Sequence, residues 1–326
     1  MAKRILIVGG VTGGASAAAR LRRLDENAEI VIYERGPHVS YSNCSLPYFL
    51  SRVVPDSGSL LMVTPERFKK QYNIEVRTEN EVTSIDRTAK TIRVKRHIDG
   101  TEYEERYDVL ILSPGAEPIR PKSIEGADRE NVFTVRSVAD IEKLDAWLTS
   151  RNVKDVAVVG GGFIGCEVAE NLRESERNVA LIEAMPQIMT PFDFDMAQIL
   201  HKEMLDHGVT LVLKDGVKRI GENEVELASG RKIKAGATVL AIGVRPEAEL
   251  AKAAGLEIGE TGGIRVNHNY QTSDPSIYAV GDAIEVFHRL TRKWTRLALA
   301  WPAQMQGRAA ADHRHVLYIA GGEPSV

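Results

Sequence analysis

Cysteine is almost absent from this chain: of 326 residues only Cys44 and Cys166 carry a thiol. Two are too few for a disulfide framework, which points to a reducing compartment and a cytoplasmic protein rather than an exported one. Long apolar runs are lacking as well, since none approaches the ~20 residues that a membrane span needs. The basic start Met1-Ala2-Lys3-Arg4 leads into an apolar run that breaks at Gly9-Gly10, too early for a secretory signal, so that run is expected to be a strand. Charge of one sign is also scarce: 42 basic against 45 acidic groups leave −3, with no large field to attract nucleic acid or an anionic membrane. The eight histidines are scattered, apart from His313 and His315, and offer no ligand spacing with Cys, Asp or Glu; no metal is expected. Low-complexity segments and short repeats are missing too. What remains, 43% apolar and 27% charged over a length suited to about two domains, describes an ordinary globular chain.

Two stretches share one pattern. Ile5-Leu6-Ile7-Val8 is followed by Gly9, Gly10, Gly13 and Gly14, a helical pattern from Ala15 to Leu24, and Glu29 to Glu34. This is a βαβ unit with a glycine turn, in which backbone N–H groups and a helix N-terminus meet a pyrophosphate and an acid about 20 positions on, here Glu34, binds ribose hydroxyls. The middle glycine of the fingerprint is replaced by Val11. The unit recurs as Val156–Val159, then Gly160, Gly162 and Gly165, a helix to about Glu174, and Asn178 to Glu183, now with the complete fingerprint. Glu183 would repel a 2′-phosphate and no arginine follows it, so NADH is expected over NADPH. Two dinucleotides in one chain imply electron transfer between them.

Between the units, Asn80 to Tyr107 alternates apolar and polar residues with hairpin punctuation at Asp99-Gly100, and Leu110 to Leu112 is a strand ending in the turn Ser113-Pro114-Gly115. Pro118 to Pro121 reads as a linker. After the second unit come a helix from about Asp195 to Asp206, stopped by Gly208, and short strands up to Ile242-Gly243. Ile277 to Ala279 then forms a strand before Gly281-Asp282, and Leu297 to Ala311 reads as a helix behind Trp301-Pro302. The expected class is α/β, with two doubly wound Rossmann-like dinucleotide-binding domains, the second inserted in the first: 1–118 and 247–326 form one, 119–246 the other.

Cys44 lies in Ser-Tyr-Ser-Asn-Cys-Ser-Leu-Pro-Tyr-Phe, 40–49. A thiol reacts as its thiolate, only about 3 per cent of which is present at neutral pH for a free pKa of about 8.5. A helix beginning near Cys44 would supply N–H groups and the positive end of a dipole to raise that fraction. The alternative is a small buried hydrophobe, against which stand the polar neighbours Asn43, Ser42 and Ser45. Cys166 follows Gly165 at a helix start, belongs to the second fingerprint and makes no Cys-x-x-Cys pair; it is expected to pack.

With these residues in place, the chain resembles the pyridine nucleotide-disulfide oxidoreductases from Ile5 to about Asp312. Within them it is similar to the single-cysteine branch of coenzyme A disulfide reductases and NADH-dependent persulfide or polysulfide reductases. The most specific element is the Asn-Cys-x-Leu-Pro-Tyr core; the fingerprints, Ser113-Pro114-Gly115-Ala116 and Gly281-Asp282 are shared more widely. The resemblance implies that Gly9, Gly13, Gly14, Glu34, Arg35, Ser113, Gly115, Gly281 and Asp282 hold FAD, with Leu299-Ala300-Trp301 by its pyrimidine. It implies that Gly160, Gly162, Gly165 and Glu183 hold NADH, with Glu167 and Gly243 near the nicotinamide. Cys44 with Asn43 is then the redox centre, and Arg20, Arg23, Ser40 and Asn43 belong to a coenzyme A channel. Arg20 and Arg23 share a helical face suited to phosphates, the alternative being a solvated basic face; Lys69 and Lys70 add further positive charge.

Two departures from the family pattern stand out. Thr12 occupies a position where the resembled peroxidase and water-forming oxidase branch has histidine, which favours sulfur over peroxide as substrate. After Asp312, His313 to Val326 does not resemble the interface domain that completes the family's homodimer, so the chain is expected to be either a fragment or a shortened form, without that homodimer. The rival readings are an NADH oxidase or peroxidase cycling Cys44 through a sulfenic acid, and an electron-transfer module for a redox protein; relatives of the latter type lack the Asn43-Cys44 pair.

Overall fold

The computed structural model describes the backbone of residues 2–319 and the side chains up to His313; of the unmatched tail, the side chains from 314 on, His315 among them, and all of 320–326 lie outside the described residues. The chain divides into two units, Met1–Ser42 with Leu61–Ala116 and Arg245–Val326, and Asn43–Leu60 with Glu117–Val244. The stretch carrying Cys44 therefore groups with the inserted segment, whereas the sequence layout put it in 1–118.

In the first unit the apolar runs become a parallel sheet in the order Ile277–Ala279, Val109–Leu112, Arg4–Val8, Glu29–Glu34, Glu75–Thr78. Successive strand residues face opposite sides, and a parallel sheet must be covered on both. Leu6, Val8, Val31 and Tyr33 pack on one side with Val82, Ile85, Ile92 and Val94. These last come from the antiparallel meander Asn80–Asp86, Thr91–Arg96, Glu102–Arg106, whose second turn uses Gly100 at φ +73°. Ile5, Ile7, Ile30 and Ile32 pack on the other side with Ala15, Ala17 and Ala18 of the helix Thr12–Leu24 and with Ala310 and Ala311 of the helix Ala300–Ile319.

The helix Thr12–Leu24 begins before the expected Ala15 because Gly13 and Gly14 are helical here. Glycine's poor helix propensity of about 1 kcal/mol is outweighed by contact: a Cβ on Gly14 would stand 1.9 Å from the Gly9 carbonyl oxygen. The last helix starts at Ala300 rather than Leu297, with Pro302 in its first turn, where its missing N–H is harmless. Gly307 lets it approach the first helix, since a Cβ there would lie 2.3 Å from the Gly13 carbonyl oxygen.

The second unit repeats the arrangement. Its parallel sheet runs Thr210–Leu213, Asn178–Glu183, Asp155–Val159, Ala237–Leu240, Val132–Phe133. A meander of Val217–Ile220, Glu224–Leu227 and Lys232–Lys234 supplies Ile220, Val225, Leu227 and Ile233 to a core with Ala157, Val159, Ala180 and Ile182. The doubly wound α/β class expected from the sequence is the one observed. Among the described residues no helix is long and apolar enough to cross a membrane.

Candidate active site: two dinucleotide cradles and a thiol segment

The first cradle forms where Arg4–Val8 hands over to the helix Thr12–Leu24. Gly9 takes φ +92°, and a Cβ on it would meet the Ser113 carbonyl oxygen at 2.1 Å, so only bare backbone fits. The Gly10 N–H donates to Glu34 Oε2 at 2.9 Å and the Gly36 N–H to Oε1 at 3.0 Å. The carboxylate is thereby held beside the turn, where a ribose hydroxyl would meet it. No side chain caps this helix, which leaves first-turn N–H groups for an anion. Gly13, Ser113 and Gly281 converge: a Cβ on Gly13 would lie 2.7 Å, and one on Gly281 3.7 Å, from Ser113 Oγ. Buried Gln306 accepts the Gly281 N–H at 2.8 Å and fixes the turn Gly281–Ala283 that displays half-buried Asp282.

Other residues of this unit are committed to protein partners. Arg35 forks onto Glu247, with Nη2 to Oε2 at 2.8 Å, and the Glu247 N–H donates to the carbonyl of Gly115, which has φ +80°. Arg20 pairs with Asp312 at 2.6 Å, while Arg23 is exposed at the helix end. Ser40 adopts φ +50°, donates its N–H to the Gly10 carbonyl at 2.9 Å and accepts from Met62 N–H at 2.8 Å. Ala300 is exposed at the start of its helix. Arg20, Arg23 and Ser40 belong to the first unit and Asn43 to the second.

In the second cradle Gly160 takes φ +107° with a Cβ position 2.4 Å from the Ala241 carbonyl oxygen, and that of Gly165 is 1.9 Å from the Gly160 oxygen. A Cβ on Gly162 would meet nothing within 4 Å, so space is open above the start of the helix Phe163–Glu174, which no side chain caps. Glu183 accepts from Gly161 N–H at 2.7 Å and Met185 N–H at 2.8 Å. Half-buried Glu167 has its carboxyl pKa raised, first by burial and then by Glu170. Gly243 turns at φ +113°, its carbonyl accepting from Ile119 N–H at 3.0 Å. Both cradles thus fit a dinucleotide pyrophosphate with a ribose-binding acid.

The internal repeat extends past the glycines, which sequence reasoning missed. After each acid comes a proline and then a β-branched residue, Glu34-x-x-Pro37-x-Val39 and Glu183-x-x-Pro186-x-Ile188. A Cβ on Gly10 would lie 2.4 Å from Val39 Cγ2, and one on Gly161 2.7 Å from Ile188 Cγ2. The following residues, Ser40 and Met189, both take φ +50°, and Met189 N–H donates to the Gly161 carbonyl at 2.7 Å as Ser40 does to Gly10. The signal was the recurring Glu-x-x-Pro. Gln306 gave no comparable signal.

The thiol segment corrects one expectation. Asn43–Ser45 is a 3-10 turn and the helix behind it, Leu46–Leu50, has only five residues, ended by Arg52 at φ +65°. Such a helix supplies little dipole, because the effect grows with aligned peptides. Asn43 and Cys44 are exposed. Cys166 is different: half-buried, its Sγ 3.6 Å from the Gly161 carbonyl oxygen, with the thiol pKa pushed up to about 12 by burial and then by Glu167, Glu183 and Glu170. Burial and the three carboxylates thus oppose its ionisation at neutral pH, so the helix start does not activate it. Iodoacetamide at pH 8 is expected to label Cys44 at least ~10 times faster than Cys166, as read by peptide mass mapping. Cys166→Ser is expected to leave steady-state NADH turnover within about threefold of the parent protein. Labelling of Cys166 at the rate of Cys44 would contradict the first expectation, and a larger loss of turnover in Cys166→Ser the second.

Comparison with known proteins gives a consistent result. The model of the pyridine nucleotide-disulphide oxidoreductase family matches residues 3–307. A coenzyme A disulfide reductase of Staphylococcus epidermidis is 34% identical over 309 residues, covering 95% of this chain and 70% of the relative. The solved structure of reduced Bacillus anthracis CoADR-RHD superposes with a TM-score of 0.94 at 47% identity, over 97% of this chain and 57% of that one. That of a NAD-dependent persulfide reductase from A. fulgidus gives 0.91 at 35% identity, over 99% and 60%. The chain thus spans less than two thirds of these two structures' own length.

Proposed function

The chain belongs to the pyridine nucleotide-disulphide oxidoreductase family, and from that premise we propose that it is an FAD-dependent NADH oxidoreductase. Its substrate on this reading is a coenzyme A disulfide, persulfide or polysulfide, reduced through Cys44. The observation that carries the proposal is an exposed thiol at Cys44 whose only companion in the sequence, Cys166, is half-buried and held protonated. Without a second reactive thiol in this sequence, Cys44 has no partner here with which to close an internal disulfide, so on this reading the resolving sulfur belongs to a small molecule. A coenzyme A disulfide reductase and a persulfide reductase among the similar proteins support the same substrate class.

Bound FAD supplies a two-electron relay between a nicotinamide hydride and a sulfur acceptor. Gly9, Gly13, Gly14 and Glu34 would hold its pyrophosphate and ribose, and Asp282 would be presented to it by the turn that Gln306 fixes. Ser113 and Gly115 would line the same cradle. Gly160, Gly162 and Gly165 would hold the NADH pyrophosphate, with Glu183 on the adenosine ribose. Glu167 and Gly243 are proposed to line the nicotinamide end.

On the sulfur side the Cys44 thiolate attacks one sulfur of the disulfide, forming a Cys44–coenzyme A mixed disulfide and expelling the other half as a thiolate. Two electrons, delivered with a proton, then release the second thiol and restore the Cys44 thiolate, so that NADH, a proton and one disulfide give NAD+ and two thiols. Anaerobic single-turnover reactions of the NADH-reduced protein with coenzyme A disulfide, coenzyme A persulfide and polysulfide test this. At least one is expected to reoxidise the protein faster than oxygen or peroxide does; reoxidation by oxygen or peroxide alone would overturn the proposal.

Nucleotide choice follows from Glu183, whose two oxygens are fixed by backbone N–H groups, and from the absence of arginine in Ala184 to Met189. A fixed carboxylate accepts from a ribose hydroxyl and repels a 2′-phosphate. NADH is expected to exceed NADPH in kcat/KM by at least ~10-fold, about 1.4 kcal/mol. Stopped-flow flavin bleaching that is faster with NADPH at equal concentration would contradict it.

A further inference from the structure

Asn171 is a buried amide in the middle of the helix Phe163–Glu174, a costly placement unless both ends of the amide are used. Both are used. Its Nδ2 donates to the Glu167 carbonyl, one turn back, at 2.8 Å, and its Oδ1 accepts from Ser51 Oγ at 2.6 Å. Ser51 directly follows the helix Leu46–Leu50, whose Leu46, Phe49 and Leu50 are buried and which packs on the helices Phe163–Glu174 and Val138–Ser150. The next residue, Arg52, reaches both carboxylate oxygens of Asp145 at 2.8 and 2.9 Å. All these residues belong to the second unit. The segment that carries Cys44 is thus fastened to the helix that begins at the second glycine turn.

We propose that Ser51 and Asn171 are positioning residues that join the Cys44 segment to the nucleotide-binding helix, so that nucleotide bound at Gly160–Gly165 restrains Cys44. The inference rests on reading that turn as the NADH site and Cys44 as the reactive thiol. Nucleotide at the helix N-terminus engages its first-turn N–H groups and stiffens the helix, and the shared hydrogen bond carries the restraint to the segment. Ser51→Ala removes the donor and leaves Asn171 Oδ1 buried without it, whereas Ser51→Thr keeps a hydroxyl.

The test uses the full chain with FAD bound and saturating NAD+, which brings no electrons. Alkylation of Cys44 by iodoacetamide, followed by mass spectrometry, is expected to slow on the order of fivefold with NAD+ in the parent protein. In Ser51→Ala that protection is expected to vanish while NAD+ affinity, by fluorescence titration, changes less than about threefold; Ser51→Thr restores it. Absence of protection in the parent, full protection in Ser51→Ala, or loss of NAD+ binding in Ser51→Ala would each overturn the proposal, the last by showing that the pair holds only the fold. Turnover of Cys44→Ser separates the two levels: if sulfur reduction survives there, the parent reading fails, whatever the alkylation shows.

Discussion

Cys44→Ser is expected to reduce the flavin with NADH at near the parental rate and to lose sulfur reduction by at least ~1,000-fold. Serine nearly preserves the volume, and the exposed 3-10 turn Asn43–Ser45 does not depend on sulfur packing. A hydroxyl hardly ionises at neutral pH, however, and the displacement needs an ionised nucleophile. Cys166 offers no rescue, since burial and three carboxylates hold its thiol protonated. Anaerobic stopped-flow absorbance follows the flavin, and thiol release follows the sulfur. A variant that retains more than about a tenth of its sulfur turnover would remove Cys44 from the chemistry and move the electron-transfer reading ahead.

Gly14→Ala and Gly165→Ala are expected to separate the two cofactors. Each would place a Cβ 1.9 Å from a backbone oxygen, that of Gly9 or of Gly160, so the turn itself must move. Overpacking costs about 1–3 kcal/mol, and where the strain falls on the cofactor-bound turn this corresponds to ~5- to 150-fold in affinity. Gly14→Ala should purify with little FAD. Gly165→Ala should keep its FAD but need far more NADH for flavin reduction, seen as a rise in the concentration dependence of stopped-flow bleaching. Normal FAD content in the first, or normal NADH dependence in the second, would show that the turn is not the binding element.

The strand–turn–helix–strand units were legible because their determinants are local: a run such as Ile5 to Val8, a glycine turn and an acid at fixed spacing. Antiparallel meanders were legible from alternation and Asp99-Gly100. That a helix begins near Cys44 was legible, but its five-residue length was not, because the backbone turn at Arg52 that ends it has no glycine to announce it. Gln306 on Gly281, Arg20 on Asp312 and Ser51 on Asn171 join residues far apart in the chain, where no periodicity reports a partner. The grouping of Asn43–Leu60 with the second unit has the same origin: it depends on which helices Leu46, Phe49 and Leu50 meet, not on what precedes them in sequence.

The edge strand Ile277–Ala279 pairs in parallel with Val109–Leu112, although the whole of Glu117–Val244 lies between them in the chain. During synthesis the first sheet therefore waits for its last strand until the second sheet has emerged. Closing so long a loop costs little more than closing a moderate one, because the entropy grows only with the logarithm of length, but it delays assembly, as nonlocal pairing does in general. Until then Leu110 and Leu112 present an uncovered strand edge. Nascent chains arrested before Ile277 should accordingly be more prone to aggregate and to need chaperones than chains released after it.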